Sequence, residues 1–551
     1  MRTLIIHATV WAGGRPSPAP GWLLLEDGRV AEVGTATQNP PGGDGLTVVS
    51  RPGHHVLPGL TDAHSHLSVG CWLPRTVDGS AWGSRQEALD AVAEAHERAP
   101  GDGWLLATGF DHATWDDPRP PRHDELEDAA PGRKVLLVHL SLHAGVLSSR
   151  GLAVVARAAP GFQRLEDVDR GRGGQPTGLV WEGAFGRAVF TVARELTAEL
   201  GEPTMVELLE AEAERHLRLG ITRAHDPGVS PDGHDRMRRV AGRTPLRLSW
   251  SITGAAGLVE PPPRSVTALP EGPYGETGRQ VKLFLDGAQR CALTLPIGAL
   301  PSMLAATVGE VRRARSWRPA QAALQQRLRL TPSEVRLPYL RLEDREVLER
   351  LDAWFAAGLR VRIHALGNEA VAQAARLLTR VGAPAGRSSI EHAMFLRAPE
   401  REALARSGAV ASIQPGFLPH YGPEVVASGA AGHLEVLGLR SLGASGVVRA
   451  ISSDHPCGPL DPLHNLRRAV DRRLGTTTLQ VEQGITPVEA VEAMTAGGAA
   501  ALGVPVEEAT LVPGAPADLA IVDGDPFDEG SRVVETWVAG DPVAPGRRLP
   551  A

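Results

Sequence analysis

Between residues 200 and 455 one alternation of apolar and polar positions recurs. A stretch with apolar residues at helical spacing stops near a glycine, and a short apolar run follows that ends on a polar side chain. Glu207–Leu219 gives way at Gly220 to Ile221-Thr-Arg-Ala-His-Asp226, and Arg345–Ala357 gives way at Gly358 to Leu359-Arg-Val-Arg-Ile-His364. Ala370–Val381 leads to Ser388-Ser-Ile-Glu-His392, Pro399–Ser407 to Ala409-Val-Ala-Ser-Ile-Gln414, and Leu442-Gly-Ala-Ser-Gly446 to Val447-Val-Arg-Ala-Ile-Ser-Ser-Asp454. Glycine at a helix C-terminus and a short connection into a strand are what such units need. The alternation predicts a parallel sheet of the α/β class, and its length predicts a (β/α)8 TIM barrel. Strand one is expected at Val56–Leu67, two at Ile221–Asp226, three at Leu246–Thr253 and four at Val281–Asp286. Strands five to eight end at His364, His392, Gln414 and Asp454.

The two ends of the chain carry a different pattern. Thr3–Ala8, Gly21–Glu26 and Arg29–Val33 are short β-segments between Gly, Pro and Asp turns, echoed by Asp518–Asp523 and Val533–Val538 around Gly524-Asp525-Pro526. These segments predict a small composite β-sandwich from residues 1–55 and 505–551, with the barrel over 56–504. Residues of about 69–200 then form a large insertion after strand one, with a helix at Ser84–Ala99 and a strand at Lys134–Leu140. Five of the 11 tryptophans (Trp72, Trp82, Trp104, Trp115, Trp181) fall there, and they read as the insertion's own core more readily than as a pocket lining. Helix-like patterning over 299–340 suggests a second lid.

Composition removes several alternatives. A net charge of −7 and the absence of a basic stripe argue against nucleic acid as a partner. No apolar run approaches the roughly 18 residues of a membrane helix, and the apolar stretch after Met1 is too short for a secretory signal. Three cysteines, Cys71, Cys291 and Cys457, make no disulfide framework. The expected setting is soluble and cytoplasmic, with a small-molecule substrate; homo-oligomer formation is left open. Of 57 basic residues only Lys134 and Lys282 are lysine. Lys134 opens a strand and reads as solvated. Lys282 lies within the apolar run Val281-Lys-Leu-Phe-Leu-Asp286, where an unpaired ammonium is expensive.

Candidate chemistry gathers at the predicted strand ends. Val56-Leu-Pro-Gly-Leu-Thr-Asp-Ala-His-Ser-His-Leu-Ser68 delivers His64 and His66, which two-residue spacing puts on one face of a strand. Imidazole is the commonest neutral metal ligand. His64, His66, Lys282, His364, His392 and Asp454 all fall at or near barrel strand ends, where functional groups of such barrels collect. Taken singly, each has an ordinary reading as a buried histidine, a turn aspartate or, for Lys282, an ion pair with Asp286. Their joint order favours a site for two divalent ions.

These residues carry a resemblance to a known family. The chain resembles the metal-dependent amidohydrolase superfamily, specifically amidohydrolase family 3 and its formamide-deformylase-like branch. The matching stretches are Leu57–Leu67, Pro176–Val180 with Glu182, Gly220–Asp226, Val281–Gly287, Ile363–Asn368, Ile390–Ala393, Ser452–Pro456 through Leu463, and Leu511–Pro526. The resemblance implies a barrel flanked by a β-sandwich, with His64, His66 and Asp454 on one metal and His364 and His392 on a second. It further implies that Lys282 is carbamylated and bridges the two ions, zinc being favoured by nitrogen-rich ligation. The implied reaction is hydrolysis of a non-peptide C–N bond in an amide, N-formyl group or cyclic amide, with a metal-bound hydroxide as nucleophile. Asp454 serves as general base and then acid, and His143 or His225 donates to the oxyanion. Three departures bear on substrate: Gly367-Asn368, Ser141-Leu-His143, and Ala288–Leu293 following Gly287. A mononuclear-metal deaminase has no need of Lys282, and a non-catalytic scaffold would have lost ligands that this chain keeps.

Overall fold

The computed structural model describes residues 2–543 apart from 116, 172, 256, 258–259, 264–278, 289 and 314–327. Eight parallel strands form one sheet in the order in which they occur along the chain. They are β1 (Leu60–Asp62), β2 (Ile221–Val229), β3 (Arg247–Ile252), β4 (Gln280–Phe284), β5 (Arg360–Ala365), β6 (Ser388–His392), β7 (Val410–Ile413) and β8 (Arg449–Ile451). Its two edges meet through a parallel bridge between Ser65 and His455 and through Asp454 N donating to His64 O at 2.7 Å. The barrel is therefore nearly closed. Alternation along β4 sorts its side chains: Val281 and Leu283 join an apolar cluster with Trp354, Val361 and Ile363, while Lys282 and Phe284 face a cavity. Each fully buried aliphatic side chain of that cluster contributes about 1.5–3 kcal/mol.

Strand one departs from the expected span. The apolar run is cut at Pro58-Gly59: His54–Pro58 pairs with Leu519–Asp523, and only Leu60–Asp62 enters the barrel. Proline has no N–H to continue a ladder, and Gly59 N donates sideways to Asp518 O at 2.8 Å. A Cβ on Gly59 would meet Thr222 Oγ1 at 2.2 Å, which explains glycine at this crossing. His64 and His66 consequently sit beyond the strand, on the turn that follows it.

Strands from both termini share one nine-stranded sheet, among them Arg2–Ala12, Gly21–Glu26, Arg29–Gly34, Leu519–Asp523 and Arg532–Val538. The stretch after β1 holds a separate six-stranded sheet that includes Trp104–Phe110, Lys134–His139, Ala144–Leu147 and Pro176–Trp181. Its first long helix is Arg85–Arg98, with Ser84 accepting from Glu87 N as the N-cap. Helix α1 (Glu182–Arg218) is two helical halves joined across Gly201, whose φ of 78° and ψ of 156° are not helical, and the break falls beside the expected end of the insertion near residue 200. Trp104 and Trp115 are buried within the insertion, and Trp82 and Trp181 pack beside Trp115. Lys134 is partly exposed, and its ammonium pairs with Glu195 at 3.1 Å and Glu199 at 3.2 Å. In the segment expected as helix-like over 299–340, Leu300–Arg313 is helical, but Arg329–Leu330 and Glu334–Leu337 are strands in a sheet with Leu293–Pro296. Positions 314–327 of that segment lie outside the described residues. All three cysteines are free, and no helix among the described residues is long and apolar enough to cross a membrane.

Candidate metal centre

The C-terminal strand ends of the barrel converge on one small cavity. It is lined by His64, His66, Lys282, His364, His392 and Asp454, together with Leu142, His143, Phe284 and Cys457. All six residues expected to ligate metal are thus brought together. The His364 and His392 rings lie 4.5 Å apart, His64 and His392 5.0 Å, and His64 and His66 5.4 Å.

Hydrogen bonds behind the rings fix which nitrogen faces inward. Glu391 Oε2 lies 2.6 Å from His64 Nδ1, so Nδ1–H donates and Nε2 is left bare. Arg362 pairs with the other Glu391 oxygen at 3.1 Å and donates to Ala63 O at 2.6 Å. Burial alone would raise the Glu391 pKa, but Arg362 and His64 hold it well below the usual carboxylate range. Gln414 Oε1 accepts from His392 Nδ1 at 3.0 Å, while the Gln414 amide donates to Ser452 Oγ at 2.8 Å. That leaves His392 Nε2 available as well. Burial pushes His392 down to about 3 and His364 well below its ordinary value, so both imidazoles are neutral, as metal ligands must be.

A cation fits the resulting arrangement. The bare Nε2 of His64 stands 3.3 Å from Asp454 Oδ1, and His66 Nε2 stands 3.2 Å from the same oxygen. Two acceptors facing each other across a dry space repel unless positive charge lies between them. Asp454 Oδ1, His66 Nδ1 and His364 Nε2 are also buried without a hydrogen-bond partner among the described residues. Burial would raise Asp454, yet the neighbouring histidines keep it well below its ordinary value and hence ionised. His64, His66 and Asp454 offer ligand atoms that all lie within 4.8 Å of one another.

Lys282 is 1% exposed, its Nζ 5.2 Å from the Phe284 ring centroid. Burial lowers its pKa to about 8. The ordinary ion-pair reading with Asp286 does not hold. Asp286 instead accepts from the backbone N–H groups of Ala292, Leu366 and Gly367 at 2.8–3.0 Å, and burial pushes it up to about 7.

The two candidate oxyanion donors are placed differently. His143 lines the cavity, 5.2 Å from the His364 ring, and its Nδ1 lies 2.6 Å from Glu182 Oε2. Gly287 makes room for that carboxylate, since a Cβ there would meet it at 2.1–2.2 Å. His225 is fully buried with Nδ1 and Nε2 each 2.8 Å from a hydroxyl, Ser249 and Ser251 respectively. It does not line the cavity, and neither nitrogen is open to a substrate. Asn368 likewise faces no cavity; its side chain exchanges two 2.9 Å hydrogen bonds with the Thr294 backbone. The partners Glu391, Gln414 and Glu182 were not assigned roles from the sequence, although Glu182 lay among the matching stretches.

Four non-glycine residues at the site have positive φ: Leu142 (52°), Glu182 (40°), His392 (74°) and Asp454 (54°). Each such conformation costs on the order of 1–3 kcal/mol and persists where the surroundings over-determine it, a pattern that clusters at active sites.

The chain is 26% identical over 560 residues to N-substituted formamide deformylase of Arthrobacter pascens, covering 98% of this chain and 97% of that one. It is 25% identical to Protein LONG AFTER FAR-RED 3 of Arabidopsis thaliana, over 98% of this chain and 91% of the other. Its fold matches a crystal structure of an uncharacterized metal-dependent hydrolase from Pyrococcus horikoshii with a TM-score of 0.67 at 20% identity, covering 96% and 98% of the two chains. A family model described as the amidohydrolase family matches residues 49–544, and the chain belongs to that family.

Proposed function

We propose that this chain is a metal-dependent hydrolase of non-peptide C–N bonds, acting on small N-formyl or N-acyl amines. The single observation that carries the reading is the bare Nε2 of His64 facing Asp454 Oδ1 at 3.3 Å. His64, His66 and Asp454 would hold one divalent ion, His364 and His392 a second, and carbamylated Lys282 would bridge them. Nitrogen-rich ligation favours zinc. When bound, such ions supply Lewis acidity and lower the pKa of a water.

The chain's own groups do the rest. Asp454 takes the proton of the attacking water and returns it to the leaving nitrogen. His143, held at Nδ1 by the Glu182 carboxylate at 2.6 Å, is the cavity residue placed to meet the developing oxyanion. Leu142 and Phe284 supply the apolar part of the cavity wall. The deformylase activity named for the Arthrobacter relative supports the N-formyl reading. We also propose the division into a terminal β-sandwich (1–55 and 505–551) and a barrel (56–504). Ile5, Leu23, Val56, Leu519 and Trp537 share one apolar cluster, which supports the sandwich.

The test is a panel of N-substituted formamides, N-acyl amines, cyclic amides and Xaa-Pro dipeptides, assayed with zinc and bicarbonate present. Formate or amine release from the first three classes is expected. Turnover confined to dipeptides, or none above the metal-only background, would overturn the reading.

A further inference from the structure

A second group of ligand-type side chains lies in the insertion, at the ends of two neighbouring strands. Trp104–Phe110 and Lys134–His139 run parallel, with His139 opposite Phe110. Asp111 and His112 directly follow the first strand, and His139 ends the second. We propose that Asp111, His112 and His139 form a divalent-cation site, separate from the barrel centre, that ties these two strand ends together.

One carboxylate oxygen and one ring nitrogen from each histidine all lie within 4.8 Å of one another. Asp111 Oδ1 is 3.4 Å from His139 Nε2. Ligands at zinc–nitrogen and zinc–oxygen distances of roughly 2.0–2.1 Å in a tetrahedron stand about 3.3–3.4 Å apart, so this edge is already spaced for an ion. The barrel centre shows the same spacing, 3.2 and 3.3 Å, between Asp454 and its two histidines. None of the three insertion residues lines the barrel cavity.

The surroundings match what a ligating histidine needs. His139 Nδ1 accepts from the Ser141 amide at 3.1 Å and lies 2.9 Å from Ser141 Oγ, so the ring proton sits on Nε2 and points at Asp111. An arriving cation would take the place of that proton, which moves to Nδ1, where Ser141 Oγ can accept it. His112 Nδ1 is buried without a partner among the described residues, as is the indole N–H of Trp115, whose ring lies 6.4 Å from that of His112. A native fold leaves few such groups unmatched. Two imidazoles and one carboxylate form a ligand set found at zinc sites that keep one open position. The ion would anchor the turn that carries Ser141, whose carbonyl receives the Cys457 thiol at 3.3 Å, and then His143.

The test uses the full-length chain, stripped of metal and equilibrated with micromolar free zinc before elemental analysis. His112→Ala and His112→Gln are each expected to carry about one equivalent less zinc than the unaltered protein. That difference reads the same whatever the barrel centre holds, so failure here leaves the hydrolase reading standing, and the reverse. A zinc-edge anomalous map of the unaltered protein, which needs no variant, should place a peak at about 2.0–2.1 Å from a nitrogen of His112 and of His139. Equal zinc content in all three proteins, or a zinc-soaked crystal with no anomalous peak between Asp111, His112 and His139, would overturn the proposal.

Discussion

A lysine buried among metal ligands can serve the proposed chemistry only after it has reacted with carbon dioxide, and only its neutral form reacts. An ordinary lysine, at 10.5, is roughly 0.03% neutral at pH 7, whereas Lys282, brought to about 8 by burial, is about 9% neutral. The fold therefore raises the reactive fraction by roughly 300-fold before any metal arrives. Two consequences can be measured on metal-free protein given zinc. Recovery of turnover should need bicarbonate, and below pH 8 its rate should fall about tenfold per pH unit, because protonation removes the attacking lone pair; above that value the rate levels off. Lys282→Ala should lose the bridged metal and the activity, with partial return of both on adding acetate. Lys282→Arg should be as inactive as the alanine variant, since guanidinium stays charged. Unchanged recovery in buffer purged of carbon dioxide would refute the argument. So would electron density ending at Nζ in a metal-loaded crystal grown with bicarbonate.

Two further substitutions probe the groups that handle protons. Asp454→Asn keeps the shape but cannot accept a proton, so steady-state turnover should fall at least about 100-fold with the melting curve unchanged. Glu182→Gln can still hydrogen-bond His143 Nδ1 but removes the carboxylate's negative charge beside it. The loss of about 1–1.5 kcal/mol should lower kcat roughly tenfold and leave KM nearly unchanged, read from full saturation curves.

Much of the barrel was legible because its signal is local. Helical spacing, a terminating glycine and an apolar run ending on a polar residue each lie within about 20 residues; that pattern located five of the eight strands, and the apolar runs at Leu246–Thr253 and Val281–Asp286 located two more. The exception, strand one, was hidden by continuity of apolar residues across Pro58-Gly59, where the chain changes sheets. Lys282 stood out by its rarity and its setting. The partners that orient the histidines carried no such mark. Glu391 reaches His64 across 327 residues of sequence, and nothing near either predicts the pairing. His225 illustrates the converse: it looked available, yet serine hydroxyls on the adjacent strand occupy both nitrogens. Nothing in the sequence aligns Asp111, His112 and His139, because the insertion lacks the periodicity that marks neighbouring strand ends.

Helix α1 has a meaning for anyone who wishes to exchange parts between relatives. Its first turn supplies Glu182 to His143, while near its far end Glu212 lies 3.3 Å from His455 and His216 lies 2.9 Å from Ser65, between the two ligands His64 and His66. The two halves on either side of Gly201 thus support the site from different places: one holds His143, the other the turn between His64 and His66. A chimaera that swaps the insertion at the sheet boundary near Ile221 would import foreign residues at Glu212 and His216 and misplace the His-X-His turn. The bend at Gly201 is the workable seam: the half before it travels with the insertion, and the half after it, beginning at Glu202 with its contacts to Arg236 and Arg239, stays with the barrel.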